Sequence, residues 1–313
     1  MNPLAGLAAE LSADLKGRVE TDLVVAPLTT YRLGGRAAIF VEPADESDLE
    51  ALARHLAKHP DVPTLPLGRG SNLLFSDQGF PGVLIRISSA FATLHGVEGK
   101  VTTGAGTSLP QLSNWAARRS LSGVEFAIAI PGSVGGGVRM NAGAHGGEVA
   151  NVLRKVRLVD LAEGEVDTVE ADAVGLSYRR SELQDHQIVV GAELELNGDE
   201  PAAIKERVER FRKHRADTQP PAVQNAGSVF KNPPGDHAGR LVEAAGLKGF
   251  RVGAAAVAEL HANFFIAAPG ATARDVFDLI EAVRTRVHDF CGIWLEPEVR
   301  FVGSFETSEP SDG

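Results

Sequence analysis

Cysteine is almost missing from this sequence, and its scarcity excludes two kinds of structure. Cys291 is the single cysteine among 313 residues, so the chain can form neither an internal disulfide nor a CxxC metal site. The histidines show no HExxH motif and no other close ligand spacing, so we predict no metal site. Because Cys291 closes an apolar helical pattern, we expect its thiol to be buried.

Long hydrophobic runs and an excess of basic residues are missing as well. No apolar run approaches the ~20 residues that span a bilayer, and Glu10 and Asp14 interrupt an N-terminal pattern typical of an amphipathic helix, not of a secretory signal. Lys plus Arg number 31 against 41 Asp plus Glu, a formal charge of −10. This sign disfavours general binding to nucleic-acid phosphates. We therefore expect a cytoplasmic protein without membrane or nucleic-acid partners, and we expect it to be a monomer.

Several common catalytic motifs do not occur either. The sequence has no GxxxxGK[ST] phosphate loop and no GxSxG nucleophile elbow, which disfavours P-loop enzymes and α/β-hydrolases. Gly104 and Gly106 begin a partial dinucleotide fingerprint, but Leu109 stands in place of its third glycine. A partial match of this kind gives little support to a Rossmann site.

Hydrophobic periodicity predicts helices and strands in a mixed order. Helices are expected at residues 45–58, 108–120, 201–215, 238–246 and 272–290. Strands are expected at residues 37–43, 64–68, 82–87, 156–161, 166–171, 188–196, 253–260, 263–268 and 295–303, with a hairpin at 91–106. Because the order shows no regular βαβ alternation, the sequence favours an α+β fold over a doubly wound sheet.

Glycine is enriched in two segments that suggest ligand binding. In GRGSNLLFSD, Gly68 and Gly70 let the backbone approach a ligand, and Ser71 and Asn72 add hydrogen-bonding side chains. In PGSVGGGVRMNAGAHGG, glycines cluster after Pro131, where successive backbone N–H groups can form an anion-binding concavity. Tight turns and close strand packing explain either segment alone. The two together favour one extended, phosphorylated cofactor that lies across both.

Five motifs then occur in a characteristic order: GRGSNLL, IPGSVGGGVRMNAGAHG, LSYRRSEL, NAGSVFKNP and LEPEVRFVG. Together they resemble the UDP-N-acetylenolpyruvoylglucosamine reductase family, over residues 30–303. The first two motifs are similar to those of the wider vanillyl-alcohol-oxidase (PCMH) type of FAD-binding domain. The short spacing from YRRSEL to NAGS resembles the family's second subtype, which lacks an extra substrate-covering insertion.

The resemblance implies a division of the chain into domains. It implies an N-terminal helical segment at residues 1–29 and a PCMH-type domain of two α+β subdomains at 30–200. A C-terminal α+β substrate-binding domain would follow at 201–303, and a polar tail at 304–313.

The resemblance also implies a reaction and its cofactors. FAD, held without a covalent bond, is reduced by NADPH and in turn reduces UDP-N-acetylglucosamine enolpyruvate to UDP-N-acetylmuramate. This is a step of peptidoglycan synthesis, and so of cell wall biogenesis, cell shape, the cell cycle and cell division. The residues that would bind the cofactor are Gly68, Arg69, Gly70, Ser71, Asn72, Pro131, Gly132, Ser133, Gly135, Gly136 and Asn141.

Three residues match the family's catalytic positions. Arg179 would stabilise the negative charge that develops when hydride adds to the carbon β to the carboxylate. Ser228 would protonate the α carbon, a reaction in which position matters more than a tuned pKa. Glu298 would donate a proton to the substrate carboxylate; on a strand it would share a face with Glu296, so only the motif separates the two.

Further residues of these motifs, and one basic run, have interpretations that stay open. Tyr178, Lys231 and Asn232 would contact the substrate. The run Arg207, Arg210, Arg212, Lys213 and Arg215 is either a solvated helix face or a contact for the UDP diphosphate.

Two departures from the family pattern keep rival functions open. His145 stands where tyrosine is expected, which leaves covalent flavin attachment as a minor alternative, and Ala267 replaces an expected asparagine. One rival is an FAD oxidase or dehydrogenase of sugars or hydroxy acids. The other is a non-catalytic flavin or nucleotide binder.

Overall fold

The computed structural model describes residues 3–305, so the predicted polar tail lies outside the described residues from position 306 onward. The helices are α1 (Pro3–Asp14), α2 (Glu46–Leu56), α3 (Leu109–Ala117), α4 (Val134–Arg139), α5 (Pro201–Thr218), α6 (Ala238–Ala244) and α7 (Ala273–Cys291). The strands are β1 (Arg18–Val24), β2 (Arg36–Glu42), β3 (Thr64–Leu67), β4 (Leu73–Phe75), β5 (Phe80–Arg86), β6 (Leu94–Val97), β7 (Lys100–Gly104), β8 (Leu121–Ser122), β9 (Gly143–Ala144), β10 (Gly147–Glu148), β11 (Leu153–Asp160), β12 (Glu165–Glu170), β13 (Gln187–Glu195), β14 (Asn197–Gly198), β15 (Arg251–Val252), β16 (Ala255–Val257), β17 (Phe265–Ala267) and β18 (Arg300–Val302). The α+β fold class is confirmed.

The chain divides into two compact units, and neither is a continuous segment. The first takes in Ala38–Arg69 and Gly82–Thr218 together with the chain up to Leu23. The second takes in Val24–Ala37, Gly70–Pro81 and the chain from Gln219 onward. Helix α5 belongs to the first unit because it packs on α3 and on the 3-10 helix Glu125–Ala129. The predicted boundary between domains, placed before α5, differs from this division.

Two sheets make up most of the first unit. One has the strand order β1-β2-β5-β3, and its β3 and β5 run parallel. The other has the order β12-β11-β13-β7-β6, with every neighbour antiparallel. Helix α2 packs on β11 and α4 on β13, which buries a continuous apolar core.

The second unit is built around α7. Val276, Ile280, Val283 and Val287 are buried on one helical face and pack against the sheet β15-β16-β17. The hydroxyl of Thr272 accepts a hydrogen bond from the N–H of Asp275 at 3.0 Å, so the helix begins where its capping residues predict.

Three sequence expectations differ from the structure. Residues 18–24, placed in the N-terminal helical segment, form β1; the turn before it packs Gly17 so closely that a Cβ there would lie 2.2 Å from the carbonyl oxygen of Glu42. The predicted strand 295–303 is wrong before Arg300, because the N–H groups of both Glu298 and Val299 donate to one carbonyl oxygen, that of Val229. Cys291, predicted to be buried, is exposed at the end of α7.

Candidate active site

The two glycine-rich segments meet within the first unit at Gly68 and Ser133. Gly68 follows β3, and Ser133 caps the start of α4. A Cβ placed on Gly68 would lie 2.5 Å from Ser133 Oγ, so only glycine allows this approach. The Arg69 Nε donates a hydrogen bond to the carbonyl oxygen of Pro131 at 3.1 Å. A ligand could therefore contact both segments at once.

The amides at the start of α4 are mostly used by the protein itself. Val134 N–H donates to Thr107 O at 2.8 Å and Gly135 N–H to Ala105 O at 2.9 Å. Ser133 and Ser108 form an isolated antiparallel bridge as a non-hydrogen-bonded pair. In such a pair the N–H of each residue points away from the other residue. The anion-binding concavity expected from the glycine run is therefore smaller than a full turn of free amides, and the Ser133 N–H, which is not used in the bridge to Ser108, is one donor for it.

Gly135, Gly136 and Gly137 have different surroundings. A Cβ on Gly135 would lie 2.9 Å from the Ala105 Cβ, so this glycine allows close packing. Gly137 is buried, and a Cβ on it would lie 3.3 Å from the Leu109 side chain. Gly136 is exposed, and its Cβ would meet only Ser133 Oγ at 3.6 Å. Of the three, Gly136 has the most open surroundings, which suits its predicted role in binding the cofactor.

We expect Gly136→Ala and Gly137→Ala to have different effects. Alanine suits a helix by up to ~1 kcal/mol over glycine, so Gly136→Ala should keep or raise thermal stability. Its methyl would meet bound FAD, and an overpacked contact costs about 1–3 kcal/mol, or about 5- to 150-fold in Kd. Gly137→Ala should change thermal stability alone. Titration of each variant apoprotein with FAD, followed by flavin fluorescence, measures its Kd for FAD. Equal FAD affinities in the two variants would contradict the predicted contact between Gly136 and the cofactor.

The rest of the first glycine-rich segment lies in the second unit. Gly70 adopts φ +60°, and its carbonyl oxygen accepts a hydrogen bond from Thr30 N–H at 3.1 Å. Ser71 is partly buried just before β4. The Asn72 side-chain amide donates to the carbonyl oxygen of Glu298 at 3.0 Å, so this amide fixes the backbone of a predicted catalytic residue.

Asn141 organises the turn that carries Arg179. Its side chain is fully buried, donating from Nδ2 to Ser177 O at 3.0 Å and accepting from Ala150 N–H at 2.9 Å. Predicted as a cofactor ligand, Asn141 thus has its side chain bonded to backbone. Ser177 in turn exchanges both backbone hydrogen bonds with Arg180, which closes a two-residue turn over Tyr178 and Arg179.

Arg179 is held in a defined and unusual conformation. Its φ is +56°, which costs a non-glycine residue about 1–3 kcal/mol and is typical of functional sites. The guanidinium donates from Nη2 to Gly143 O at 2.6 Å and lies 4.9 Å from the ring centre of Tyr178. Arg179 is half-buried, whereas Arg180 and Tyr178 are exposed. The structure therefore distinguishes the two arginines that the sequence alone leaves equivalent.

Ser228 and Glu298 lie on hydrogen-bonded neighbouring segments of the second unit. Ser228 forms an isolated bridge with Phe264. The next residue, Val229, accepts from Glu298 N–H at 2.7 Å, and Lys231 N–H donates to Glu296 O at 2.9 Å. The structure thus brings together two of the three predicted catalytic residues; Arg179 belongs to the first unit.

Glu296 and Glu298 differ in their side-chain environments. Glu296 Oε1 lies 2.7 Å from Lys231 Nζ, and its side chain is 68% exposed against 19% for the lysine. Glu298 is half-buried. The Asn232 Oδ1 accepts from Ala238 N–H at 3.0 Å at the start of α6. Glu298 is the less exposed of the two carboxylates, and this favours it over Glu296 as the acid.

Two buried asparagines beside Ser228 had no role in the sequence-based prediction. Asn263 is 3% exposed and bonds to both backbone groups of Phe230. Asn225 is 2% exposed; it donates to Pro221 O at 2.6 Å and accepts from Gly227 N–H at 3.1 Å. A polar residue inside an apolar stretch, as in HANFF, was the available signal.

His145 packs on α5 rather than standing alone. Its ring stacks on Phe211 with centres 4.3 Å apart and meets His214 edge-on at 5.1 Å. Burial, and then the charges of His214 and Arg210, lower the pKa of His145. The histidine thus has a packing role in this turn, which gives no support to covalent flavin attachment.

The basic run on α5 is largely engaged within the first unit. Arg207 pairs with Asp199 and with the buried Glu125 at 2.8 Å. Further contacts join Lys213 to Asp217, Arg212 to Asn114 and Arg215 to Ala129 O. Burial lowers the pKa of the Arg215 guanidinium. These partners favour the structural interpretation of the run over a diphosphate site.

Among residues 3–305, no group of three or more His, Cys, Asp or Glu side chains could hold a metal ion. None of the helices in that range is long and apolar enough to cross a membrane.

Comparisons with known proteins show the family to which the chain belongs. Residues 37–170 match the FAD binding domain model, and residues 219–302 match the model of the UDP-N-acetylenolpyruvoylglucosamine reductase C-terminal domain. A UDP-N-acetylenolpyruvoylglucosamine reductase from Heliobacterium modesticaldum is 42% identical over 94% of this chain and 94% of its own. The chain belongs to this reductase family. Reductase 2 of Symbiobacterium thermophilum is also 42% identical, over 97% of this chain and 98% of its own.

Solved structures give the same result for the fold. The reductase from Thermus caldophilus superposes with a TM-score of 0.80 at 35% identity, over 92% of this chain and 100% of its own. Phl p 4.0202, a glucose dehydrogenase, has a TM-score of 0.52 at 15% identity over 69% of this chain and 51% of its own. At that identity the likeness shows a shared fold alone. The chain is a flavoprotein oxidoreductase of the reductase family.

Proposed function

We propose that the chain reduces UDP-N-acetylglucosamine enolpyruvate to UDP-N-acetylmuramate with NADPH, a step of peptidoglycan precursor synthesis. The observation that most supports this is the pairing of the Ser228 and Glu298 segments in the part of the chain that matches the reductase C-terminal model. When bound, FAD would supply the redox chemistry, the transfer of hydride from NADPH to the carbon β to the substrate carboxylate. Every other step falls to the side chains and backbone of this protein.

The cofactor fits the first glycine-rich contact. Gly68 lets Ser133 approach, Gly136 leaves room for a flat group against the backbone, and Arg69 and the Ser133 N–H would add a charge and a donor for the diphosphate. FAD would be held there without a covalent bond. Pro131 and Gly132 shape the turn, and Gly135 keeps α4 close to the Ala105 backbone.

Arg179 binds the substrate carboxylate and stabilises the negative charge that hydride addition places on it. A guanidinium stays charged at all working pH values and donates in a planar fork. Its Nη2 donates to Gly143 O at 2.6 Å and its Nη1 to Asn141 O at 3.5 Å, so the backbone of the first unit fixes where this charge lies. Tyr178, stacked beside it, adds a contact for the sugar.

Ser228 delivers the proton to the α carbon, and Glu298 donates to the carboxylate. Lys231 contacts the diphosphate: its present partner, Glu296, is a mostly exposed carboxylate that holds it weakly and can be displaced by a more highly charged group. Asn232 sits at the end of the same segment and contacts sugar oxygens.

The expected partners are the UDP-sugar and NADPH, both nucleotides of the cytoplasm. We propose that the enzyme works there as a monomer, without nucleic-acid or membrane partners. The division into an FAD-binding domain at residues 30–200 and a substrate-binding domain at residues 201–303 remains a prediction.

Stopped-flow absorbance of the flavin tests the reaction. We expect NADPH to bleach the flavin bands, and the enolpyruvyl substrate, added next, to restore them without oxygen. Restoration by oxygen alone, together with reduction by sugars or hydroxy acids, would favour an oxidase or dehydrogenase. Failure to bind FAD at all would reject both enzyme assignments.

A further inference from the structure

Asn263 grips the backbone of the segment that carries Ser228. Its Oδ1 accepts from Phe230 N–H at 2.9 Å, and its Nδ2 donates to Phe230 O at 2.8 Å. Its own carbonyl oxygen accepts from Val229 N–H at 2.8 Å. One side chain thus satisfies both polar groups of Phe230, although the two residues are 33 positions apart.

These bonds are made in a buried place, where their loss matters most. Asn263 is 3% exposed and Phe230 is 1% exposed. An unsatisfied buried backbone group costs ~1–3 kcal/mol, more than the net gain of an ordinary hydrogen bond. Water cannot replace the amide without opening this packing. The conformation of Phe230 is therefore tied to one side chain.

The bonds also fix the direction of the segment on the edge facing Asn263. In an extended chain, the N–H and C=O of one residue point to the same edge. Holding both at Phe230 sets the orientation of the peptide units before and after it. On the other edge, Lys231 N–H donates to Glu296 O and Val229 O accepts from Glu298 N–H, and the Lys231 ammonium also pairs with the Glu296 carboxylate. Ser228 lies two residues before Phe230, and Lys231 follows it.

We propose that Asn263 is a positioning residue that sets Ser228 for proton delivery to the substrate, an inference that rests on the proposed reductase function. The role requires a side chain of this length that carries both an acceptor for Phe230 N–H and a donor for Phe230 O. Asparagine supplies both, whereas leucine supplies neither and an ionised aspartate only accepts. Displacement of a reacting group by about 1 Å can cost 10²-fold in rate, so a small rotation at Phe230 reaches the chemistry.

Asn263→Asp tests the proposal with a pH signature. Near neutral pH an ionised carboxylate would face Phe230 O, and flavin reoxidation by the enolpyruvyl substrate should slow on the order of 10–100-fold. Flavin reduction by NADPH should stay within about twofold. Burial raises the pKa of a carboxyl group, so lowering the pH protonates it and restores a donor. The deficit relative to the original protein should then shrink as pH falls.

Other titrating groups near this position require a parallel control. The charged or titratable residues on segments packed around Asn263 are His261, Lys231, Glu296, Glu298, Arg240 and Glu243. They are present in the original protein too, so the ratio of variant to original rate at each pH removes their effect.

Thr272→Ala is the matched stability control in the same unit. It removes the N-cap of α7, at a cost of about 1 kcal/mol, without touching the Ser228 segment. Both half-reactions should keep their rates. Where Asn263→Asp does not fold, Asn263→Ala gives the same comparison without a buried charge. Equal losses in both half-reactions, or a deficit in Asn263→Asp that does not change with pH, would overturn the positioning role. If the original protein does not reduce the substrate, the proposed function fails first.

Discussion

Ser228→Ala should leave flavin reduction by NADPH nearly unchanged and slow flavin reoxidation by the enolpyruvyl substrate about 10²–10⁴-fold, the usual contribution of a positioned proton donor. The separation arises because the hydroxyl takes part only after hydride has reached the β carbon. Stopped-flow absorbance of the flavin, recorded for each half-reaction, measures the two rates independently.

Ser76→Ala is the matched control. Its hydroxyl, like that of Ser228, belongs to the second unit; it donates to Ser304 O at 2.5 Å and accepts from Gln78 N–H at 3.1 Å. Removing it costs about 1 kcal/mol of stability, the worth of a typical hydrogen bond, and should leave both half-reactions intact.

Ser228→Cys gives a second check. A thiol, with an ordinary pKa of about 8.5, still carries a proton at neutral pH and should restore part of the reoxidation rate. Equal loss of both half-reactions in Ser228→Ala, or no recovery in Ser228→Cys beyond the alanine level, would reject the donor role.

Long periodic elements were predictable from sequence because their signals are local. Helix α7 was expected at 272–290 and lies at Ala273–Cys291, since a buried stripe and a Thr272–Asp275 cap both act within a few residues. The segment before β18 was not predictable in the same way. Its alternating pattern suggests a strand, but the shared acceptor at Val229 belongs to a distant part of the chain.

In the candidate site, too, the residues with local sequence signals were predictable and those with remote backbone partners were not. Motifs pointed to Ser228, Glu298 and Arg179, because those side chains recur in a recognisable order. Asn263 and Asn141 bind backbone atoms of remote residues, and a backbone partner leaves no pattern of side chains to read. Local spacing also could not show that the Gly135 amide is already bonded to Ala105.

Arg179→Lys should have the second largest effect, slowing flavin reoxidation by the substrate about 10²–10³-fold, as expected for the loss of a donor to developing charge. Lysine keeps the positive charge but not the planar fork. In the present geometry the guanidinium donates to Gly143 O at 2.6 Å and to Asn141 O at 3.5 Å. A single ammonium cannot hold these carbonyls and also bind a carboxylate through two parallel hydrogen bonds.

Arg180→Lys is the matched control, since Arg180 is the neighbouring residue of the same turn and its side chain is exposed. It should keep both half-reactions within about twofold of the original rates, in line with the small effects of exposed charges. Lysine and arginine are equally strained at the positive φ of residue 179, so a change in backbone strain does not explain a loss of activity in Arg179→Lys. Equal losses in the two variants would show that the effect belongs to the turn as a whole and not to the Arg179 guanidinium, and the assignment of Arg179 to the substrate carboxylate would then be wrong.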